Sequence, residues 1–266
     1  MSEPWRHPVR ARLEAGLPVI GATITTNSVE AAAHAASLGF HFLWCEMEHS
    51  PLSLESLRGI VLATRGSSTA IFARVPVVEL WTAKRVLDQG VSGVIFPFAS
   101  TPELAQRAAA ACRYPPAGMR GSGAGLATAT WPEPTNYHDS ADANVMTIVV
   151  IEQTHAVDNI DAIAATPGVD VLFIGTSDLS FSLGLRGRQD EPALQQAIDK
   201  VAAAAKRYGK FLGRPAATPQ QLSAFAERGF QFFQSLTELG LMRLGARQLL
   251  DPLGVSEASR ENKPLY

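Results

Sequence analysis

Short apolar runs alternate with helix-like segments along almost the whole chain, and no other feature restricts the fold as much. Eight runs read as strands: Pro18–Ile24, Phe40–Glu46, Ala70–Val75, Ser92–Pro97, Met146–Glu152, Val169–Ile174, Lys210–Gly213 and Phe230–Ser235. They are short, apolar and mostly bounded by Gly, Pro or Ser, as strands buried on both faces should be. Helical patterns fall between them. Val29–Leu38 and Leu104–Cys112 are alanine-rich. Leu52–Thr64 carries leucines at helical spacing and opens with Ser53-Leu-Glu-Ser, placing acidic Glu55 in the first turn. Asp190–Tyr208 and Thr218–Arg228 follow the same logic, the second with Thr218-Pro219 as cap and first-turn proline. Strand–helix alternation over 266 residues predicts one (β/α)₈ barrel domain covering residues 1–266. An open doubly wound sheet is the alternative, and the lack of a G-x-G-x-x-G after the first strand counts against it.

Composition narrows the partners. The chain is 46% hydrophobic and 18% charged, with a net charge of -2 and a pI near 6.3. It offers no strong field of either sign, so neither nucleic acid nor an anionic membrane is an expected partner. Two cysteines, Cys45 and Cys112, do not make a disulfide framework. No apolar run has the length of a membrane span, and Met1–His7 has no apolar signal-like core, so a soluble cytoplasmic protein is expected. One stretch, Tyr114–Val145, breaks the alternation and is rich in Pro and Gly. Long irregular segments in compact domains are often functional. If this one folds over the C-terminal face of the barrel, it reaches the place where barrel active sites lie, and it is then expected to shape the substrate pocket.

The polar residues at the predicted strand C-termini are those that should converge. They are Glu46, Glu48 and His49 after the second strand, Arg74 at the end of the third, Glu152 after the fifth, and Ser177 and Asp178 after the sixth. A carboxylate at the tip of a buried strand is costly unless it is paired, hydrogen-bonded or bound to a cation. Glu152 and Asp178 are such a pair, and oxygen-only ligation with open positions suits Mg²⁺ or Mn²⁺. The plainer reading is a salt bridge for either, or helix capping by Asp178. His49 has neighbouring carboxylates that can tune it as a base, although a lone histidine is often merely structural. Arg74, inside an apolar run, needs an anionic or carbonyl partner: either a substrate oxygen or Glu46, Glu48 or Glu152. Gly175-Thr-Ser-Asp can present backbone N–H groups to an anion, or be an ordinary turn. None of the five lysines sits at a predicted strand C-terminus, which leaves no residue for Schiff-base chemistry.

Four segments together resemble the HpcH/HpaI aldolase family of metal-dependent class II pyruvate aldolases. They are Trp44-Cys-Glu-Met-Glu-His-Ser-Pro, Ala73-Arg-Val-Pro, Tyr114-Pro-Pro-Ala-Gly-Met-Arg-Gly and Phe173-Ile-Gly-Thr-Ser-Asp-Leu-Ser. The resemblance implies a barrel and reversible aldol chemistry between pyruvate, or a related 2-oxo acid such as hydroxypyruvate, and an aldehyde. It implies Glu152 and Asp178 as the metal ligands, the ion being Mg²⁺ or Mn²⁺, with Co²⁺ a further option; beside them, Glu46 is expected to support the metal or its waters. It implies Arg74 on the keto oxygen, His49 as base and Asp88 as the residue orienting it. It implies that Gly175, Thr176, Ser177 and Asp178 form the turn that binds the pyruvate carboxylate. It also implies a homo-oligomer, commonly a hexamer, in which the C-terminal helix, here Leu239–Leu250, packs on a neighbouring subunit.

The sequence departs from the family pattern at three places. Val150 stands where relatives often carry Gln two residues before the metal-binding Glu, and by strand alternation it faces the same way as Glu152. The metal turn reads Gly175-Thr-Ser-Asp where Gly-Pro-x-Asp is common, and Ala124 follows Gly123 where some relatives have Ser. Two rival functions stand beside the aldolase. One is a citryl- or malyl-thioester lyase on the same barrel, for which only Arg186 and Arg188 offer basic residues. The other is a non-catalytic barrel holding a structural cation.

Overall fold

The computed structural model describes residues 5–131 and 137–254. The expected strands all form: β1 (Val19–Ile24), β2 (Phe42–Glu46), β3 (Ala70–Arg74), β4 (Gly93–Phe96), β5 (Met146–Ile151), β6 (Val171–Ile174), β7 (Phe211–Pro215) and β8 (Phe232–Thr237). They run parallel in chain order, and β8 pairs with β1 to close the barrel. The doubly wound alternative is excluded.

Helix α1 (Pro8–Glu14) precedes β1. Between strands come α2 (Val29–Ser37), α3 (Leu54–Ala63), α4 (Leu80–Asp88) and α5 (Pro102–Ala111). The long segment contains α6 (Gly125–Thr128) and α7 (Tyr137–Asn144). Then follow α8 (Thr154–Asp158), α9 (Ile160–Ala164), α10 (Thr176–Ser182), α11 (Pro192–Arg207), α12 (Pro219–Glu227) and α13 (Glu238–Leu250). The expected caps are present: Ser53 Oγ accepts from Ser56 N at 3.1 Å, and Thr218 Oγ1 from Gln221 N at 3.2 Å. Each satisfies an N–H that the helix itself leaves free.

Side-chain alternation divides the apolar residues between two cores. Phe42, Trp44, Phe72, Ile148, Val150, Phe173 and Phe232 fill the barrel, while Leu43, Cys45, Val149, Ile151 and Leu172 face the helices. The inner layer is aromatic, with Phe42 and Phe232 stacked at 4.5 Å. Gly21 makes room for it, because a Cβ there would lie 2.1 Å from the Phe42 ring. Both cysteines are buried and unpaired.

Among the described residues, two short helices and a set of polar contacts hold residues 114–131 and 137–145 at the N-terminal end of the barrel. The segment leaves the lower end of α5 and returns to the first residue of β5. Asn144 Oδ1 accepts from His7 N at 2.9 Å, and His7 Nε2 lies 2.9 Å from Ser92 Oγ at the foot of β4. The described part of this segment, residues 114–131 and 137–145, therefore does not cover the C-terminal mouth of its own barrel; the rest lies outside the described residues. Among the described residues no helix is long and apolar enough to cross a membrane.

Candidate active site

The inward row of each strand continues one step beyond the apolar layer and turns polar there. In β2 the row Phe42, Trp44 ends on Glu46, and in β3 the row Ala70, Phe72 ends on Arg74, its register partner. In β5 the row Met146, Ile148, Val150 leads to Glu152, just past the strand, on the face it shares with Val150. Glu152 stands level with Gly175, because Ile151 pairs with Ile174. These residues meet at the C-terminal mouth, where barrel enzymes carry their chemistry.

Glu46 is saturated by protein donors. Its Oε2 accepts from Trp44 Nε1 at 3.1 Å and Arg74 Nε at 2.6 Å, and its Oε1 from the backbone N–H groups of Glu48 and His49 at 2.8 and 3.0 Å. Arg74 Nε also lies 3.2 Å from Glu48 Oε2. The arginine thus has the carboxylate partners that the plainer reading named, and they lock its direction across the mouth. Glu46 is the anchor of Arg74 and of the turn bearing His49.

Glu48 and Glu152 are each pushed up to about 7, first by burial. Repulsion from Asp178 acts on both, Glu46 adds to it at Glu48, Glu48 adds to it at Glu152, and Arg74 offsets part of it. Glu152 Oε1 is fixed by Phe98 N at 2.7 Å. Phe98 adopts a left-handed backbone with φ 50°, an uncommon conformation for a residue with a side chain, and this aims its N–H at the carboxylate. Oε2 of Glu152 faces Gly175, where a Cβ would approach to 2.9 Å.

Asp178 lies in the first turn of α10, whose N-cap is Gly175, so Asp178 does not cap the helix. Thr176 is buried, and Ser177 and Asp178 are exposed toward the mouth. His49 is half exposed, with Nε2 3.6 Å from Glu48 Oε2. Its neighbour within the chain is therefore Glu48. Asp88 is elsewhere. It ends α4, at the foot of the barrel, and Arg120 Nη2 lies 3.5 Å from its Oδ1. The height of the barrel, roughly 15–20 Å, separates it from His49.

The donor set suits a divalent cation. Four carboxylates surround the mouth with Arg74 as their counter-charge, and the buried Glu48 Oε2 has ion-pair contacts to Arg74 and His49 but no well-formed hydrogen bond. Among the described residues no group of three or more His, Cys, Asp or Glu is placed to enclose a metal. An ion held there would rest on Glu152 and Asp178 alone, with its other positions open to water and substrate. Of the lysines, Lys84 is on α4, Lys200 and Lys206 on α11, and Lys210 Nζ bonds Thr166 O and Val169 O at the foot of β7. Lys263 is outside the described residues.

A barrel with carboxylates and a guanidinium gathered at its C-terminal mouth belongs to a broad class of enzymes, and comparison with known proteins narrows it. Residues 23–243 match the family described as HpcH/HpaI aldolase/citrate lyase, and the chain belongs to that family. It is 38% identical over 213 residues to a 5-keto-4-deoxy-D-glucarate aldolase of Salmonella arizonae, covering 80% of this chain and 83% of that protein. A HpcH/HpaI aldolase/citrate lyase family protein from Burkholderia cenocepacia superposes with a TM-score of 0.85 at 30% identity, covering 92% of this chain and 98% of that one. The HpcH/HpaI aldolase of Desulfitobacterium hafniense has the same fold, with a TM-score of 0.85 at 24% identity over 96% of this chain and 98% of that one. The chain is thus an enzyme of the aldolase type, a carbon–carbon lyase.

Proposed function

We propose that the enzyme reversibly joins pyruvate, or a close 2-oxo acid such as hydroxypyruvate, to an aldehyde, giving a 4-hydroxy-2-oxo acid. The observation that carries this reading is the meeting of Glu152, Asp178, Arg74 and His49 at one end of the barrel. Glu152 and Asp178 hold a divalent ion, Mg²⁺, Mn²⁺ or Co²⁺, which when bound supplies Lewis-acid polarisation of the 2-oxo acid. Arg74, its Nε held by Glu46 and Glu48, donates to the keto oxygen as negative charge develops there. His49 moves the proton, with Glu48 beside it. The backbone of Gly175, Thr176, Ser177 and Asp178 receives the carboxylate at the start of α10. Val150 adds no hydrogen bond, so acceptor recognition falls to other groups.

In this reading the working unit is a homo-oligomer, by resemblance a hexamer, in the cytoplasm. Helix α13 supports it: none of its residues is buried, and Leu239, Met242, Leu244, Leu249 and Leu250 are exposed. An apolar face of that size fits a second copy of the chain. Asp88 serves His49 only if it comes from such a copy, since the barrel's height separates the two within one chain.

The test is an aldehyde panel with pyruvate and hydroxypyruvate in Mg²⁺, Mn²⁺ and Co²⁺, with cleavage of 5-keto-4-deoxy-D-glucarate run beside it. Formation of 4-hydroxy-2-oxo acids is expected. Turnover of CoA thioesters alone would favour the thioester-lyase reading, and no turnover in any arm would leave the non-catalytic barrel.

A further inference from the structure

We infer that a cleft outside the barrel wall, between β7, α11 and α12, is a binding site for a small anion bearing a carboxylate or phosphate, seated on Arg214. The sequence of β7 sets this up. Phe211 packs with the inner core and Leu212 with the outer one, so Arg214 leaves the strand on the outer side. There it is only 7% exposed, and its Nε and Nη1 have no hydrogen-bond partner. The guanidinium lies 3.6 Å from the Phe225 ring of α12 and 5.4 Å from Phe230. Stacking fixes its plane and covers its face, but leaves its in-plane N–H groups unsatisfied. A buried cation with idle donors is a costly feature unless an anion completes it.

The surroundings select for negative charge. Arg228 lines the same cleft, and its Nη2 is 2.8 Å from Asp199 Oδ1. Burial and this second guanidinium together pull Arg214 down to about 10, the direction expected of a cation short of counter-charge. Among the described residues the lining carboxylate is Asp190, which is exposed and makes no ion pair with Arg214. Gln189, Gln195 and Gln221 supply neutral polar groups around a volume of about 590 Å³, enough for a small metabolite. Helix α12 buries none of its own residues, so the cleft beneath it is not packed shut.

The site is separate from the reacting centre. Arg214 points away from the barrel interior, whereas Arg74 and Glu152 belong to the inward row. The upper end of the cleft is lined by Thr176, which adjoins Gly175, and Gln189 Nε2 lies 3.4 Å from Thr176 O. The cleft also reaches Gln234 and Leu236 of β8, in step with inward-facing Phe232, so an anion on Arg214 would sit outside the wall but next to the rim of the mouth, beside the turn that carries Asp178.

The experiment is calorimetric titration of the intact enzyme, loaded with its metal and with excess pyruvate occupying the mouth, with inorganic phosphate and separately with malonate at constant ionic strength. Saturable binding of at least one is expected, and which of the two binds tells phosphate from carboxylate. Arg214→Met, which keeps an apolar contact to Phe225, should weaken that binding about tenfold or more, the loss expected for a charge-assisted pair. Arg228→Gln should weaken it less, and Arg74→Ala should leave it intact, separating this site from the mouth. No saturable binding of either anion overturns the proposal, as does wild-type affinity in Arg214→Met. If that variant does not fold, wild-type affinity in Arg228→Gln has the same force.

Discussion

Gly175→Ala presses on the Glu152 carboxylate, and on the turn that carries Asp178, without changing any charge of the site. Gly175 has φ −75° and ψ 79°, a conformation without a positive φ, so the added methyl brings no left-handed strain. What it brings is a collision. Its Cβ would lie 2.9 Å from Glu152 Oε2, 3.0 Å from Glu152 Cβ and 3.1 Å from Val150 Cγ1. Ordinary contact begins about half an ångström further out. Val150 is packed in the inner core and Glu152 Oε1 is tied to Phe98 N, so neither neighbour has an easy retreat. The cost of such overpacking is about 1–3 kcal/mol in stability. Displacing the carboxylate by about half an ångström should cost roughly 10–100-fold in rate, given that a misplacement of about 1 Å costs about 10²-fold. Titration with Mn²⁺ followed by electron paramagnetic resonance reads the affinity directly, and circular dichroism checks folding. A folded Gly175→Ala variant with wild-type Mn²⁺ affinity and wild-type turnover would refute the assignment of Glu152.

Two further predictions use other parts of the molecule. His7 is fully buried and lowered to about 3, first by desolvation and then by Arg10. The unfolded chain takes up this proton first as pH falls below about 6.5, so stability present above that pH is lost toward pH 3, at about 1.4 kcal/mol per unit. The stability difference between wild type and His7→Gln in urea should therefore narrow by roughly 2 kcal/mol between pH 7 and pH 5; an unchanged difference would remove His7 as the cause. Mixing subunits of His49→Ala with subunits of Asp88→Asn, each nearly inactive alone, should restore part of the activity by forming hybrid sites. No recovery after verified subunit exchange would count against Asp88 acting across an interface.

The barrel was legible because strands buried on both faces leave unbroken apolar runs, and all eight were bracketed to within two residues of their ends. Helix α4 is harder to read from sequence: its Glu79 cap makes no side-chain hydrogen bond, and its buried face is only Thr82, Ala83, Val86 and Leu87, with Lys84 and Arg85 on the exposed side. The C-terminal-mouth residues followed from strand ends alone, because inward alternation carries straight on into Glu46, Arg74 and Glu152. What sequence spacing does not contain is which polar group meets which. The saturation of Glu46 by four donors and the raised carboxyl of Glu48 depend on backbone turns. Glu48 stood among the strand-end residues, and its burial between Arg74 and Glu152 is what distinguishes it. The position of Asp88 at the foot of the barrel follows from α4 running back down, a direction readable only once that helix is assigned. The same holds for Tyr114–Val145, whose face was set by the descent of α5. Arg214 carried no signal beyond being a charge in an apolar run, and its unpartnered donors emerge only when Phe225 and Phe230 are brought beside it.

In the proposed mechanism Glu152 and Asp178 hold a divalent ion at the mouth, and His49 moves the methyl proton of pyruvate. Deuterium exchange into the methyl group of pyruvate in D₂O, followed by proton NMR without any aldehyde present, tests this most directly. Exchange is expected to stop on exhaustive chelation, to return with Mg²⁺ or Mn²⁺, and to be lost in Glu152→Ala, Asp178→Ala and His49→Ala variants that remain folded. Full exchange in the chelated enzyme, or in a folded Glu152→Ala variant, would contradict that mechanism.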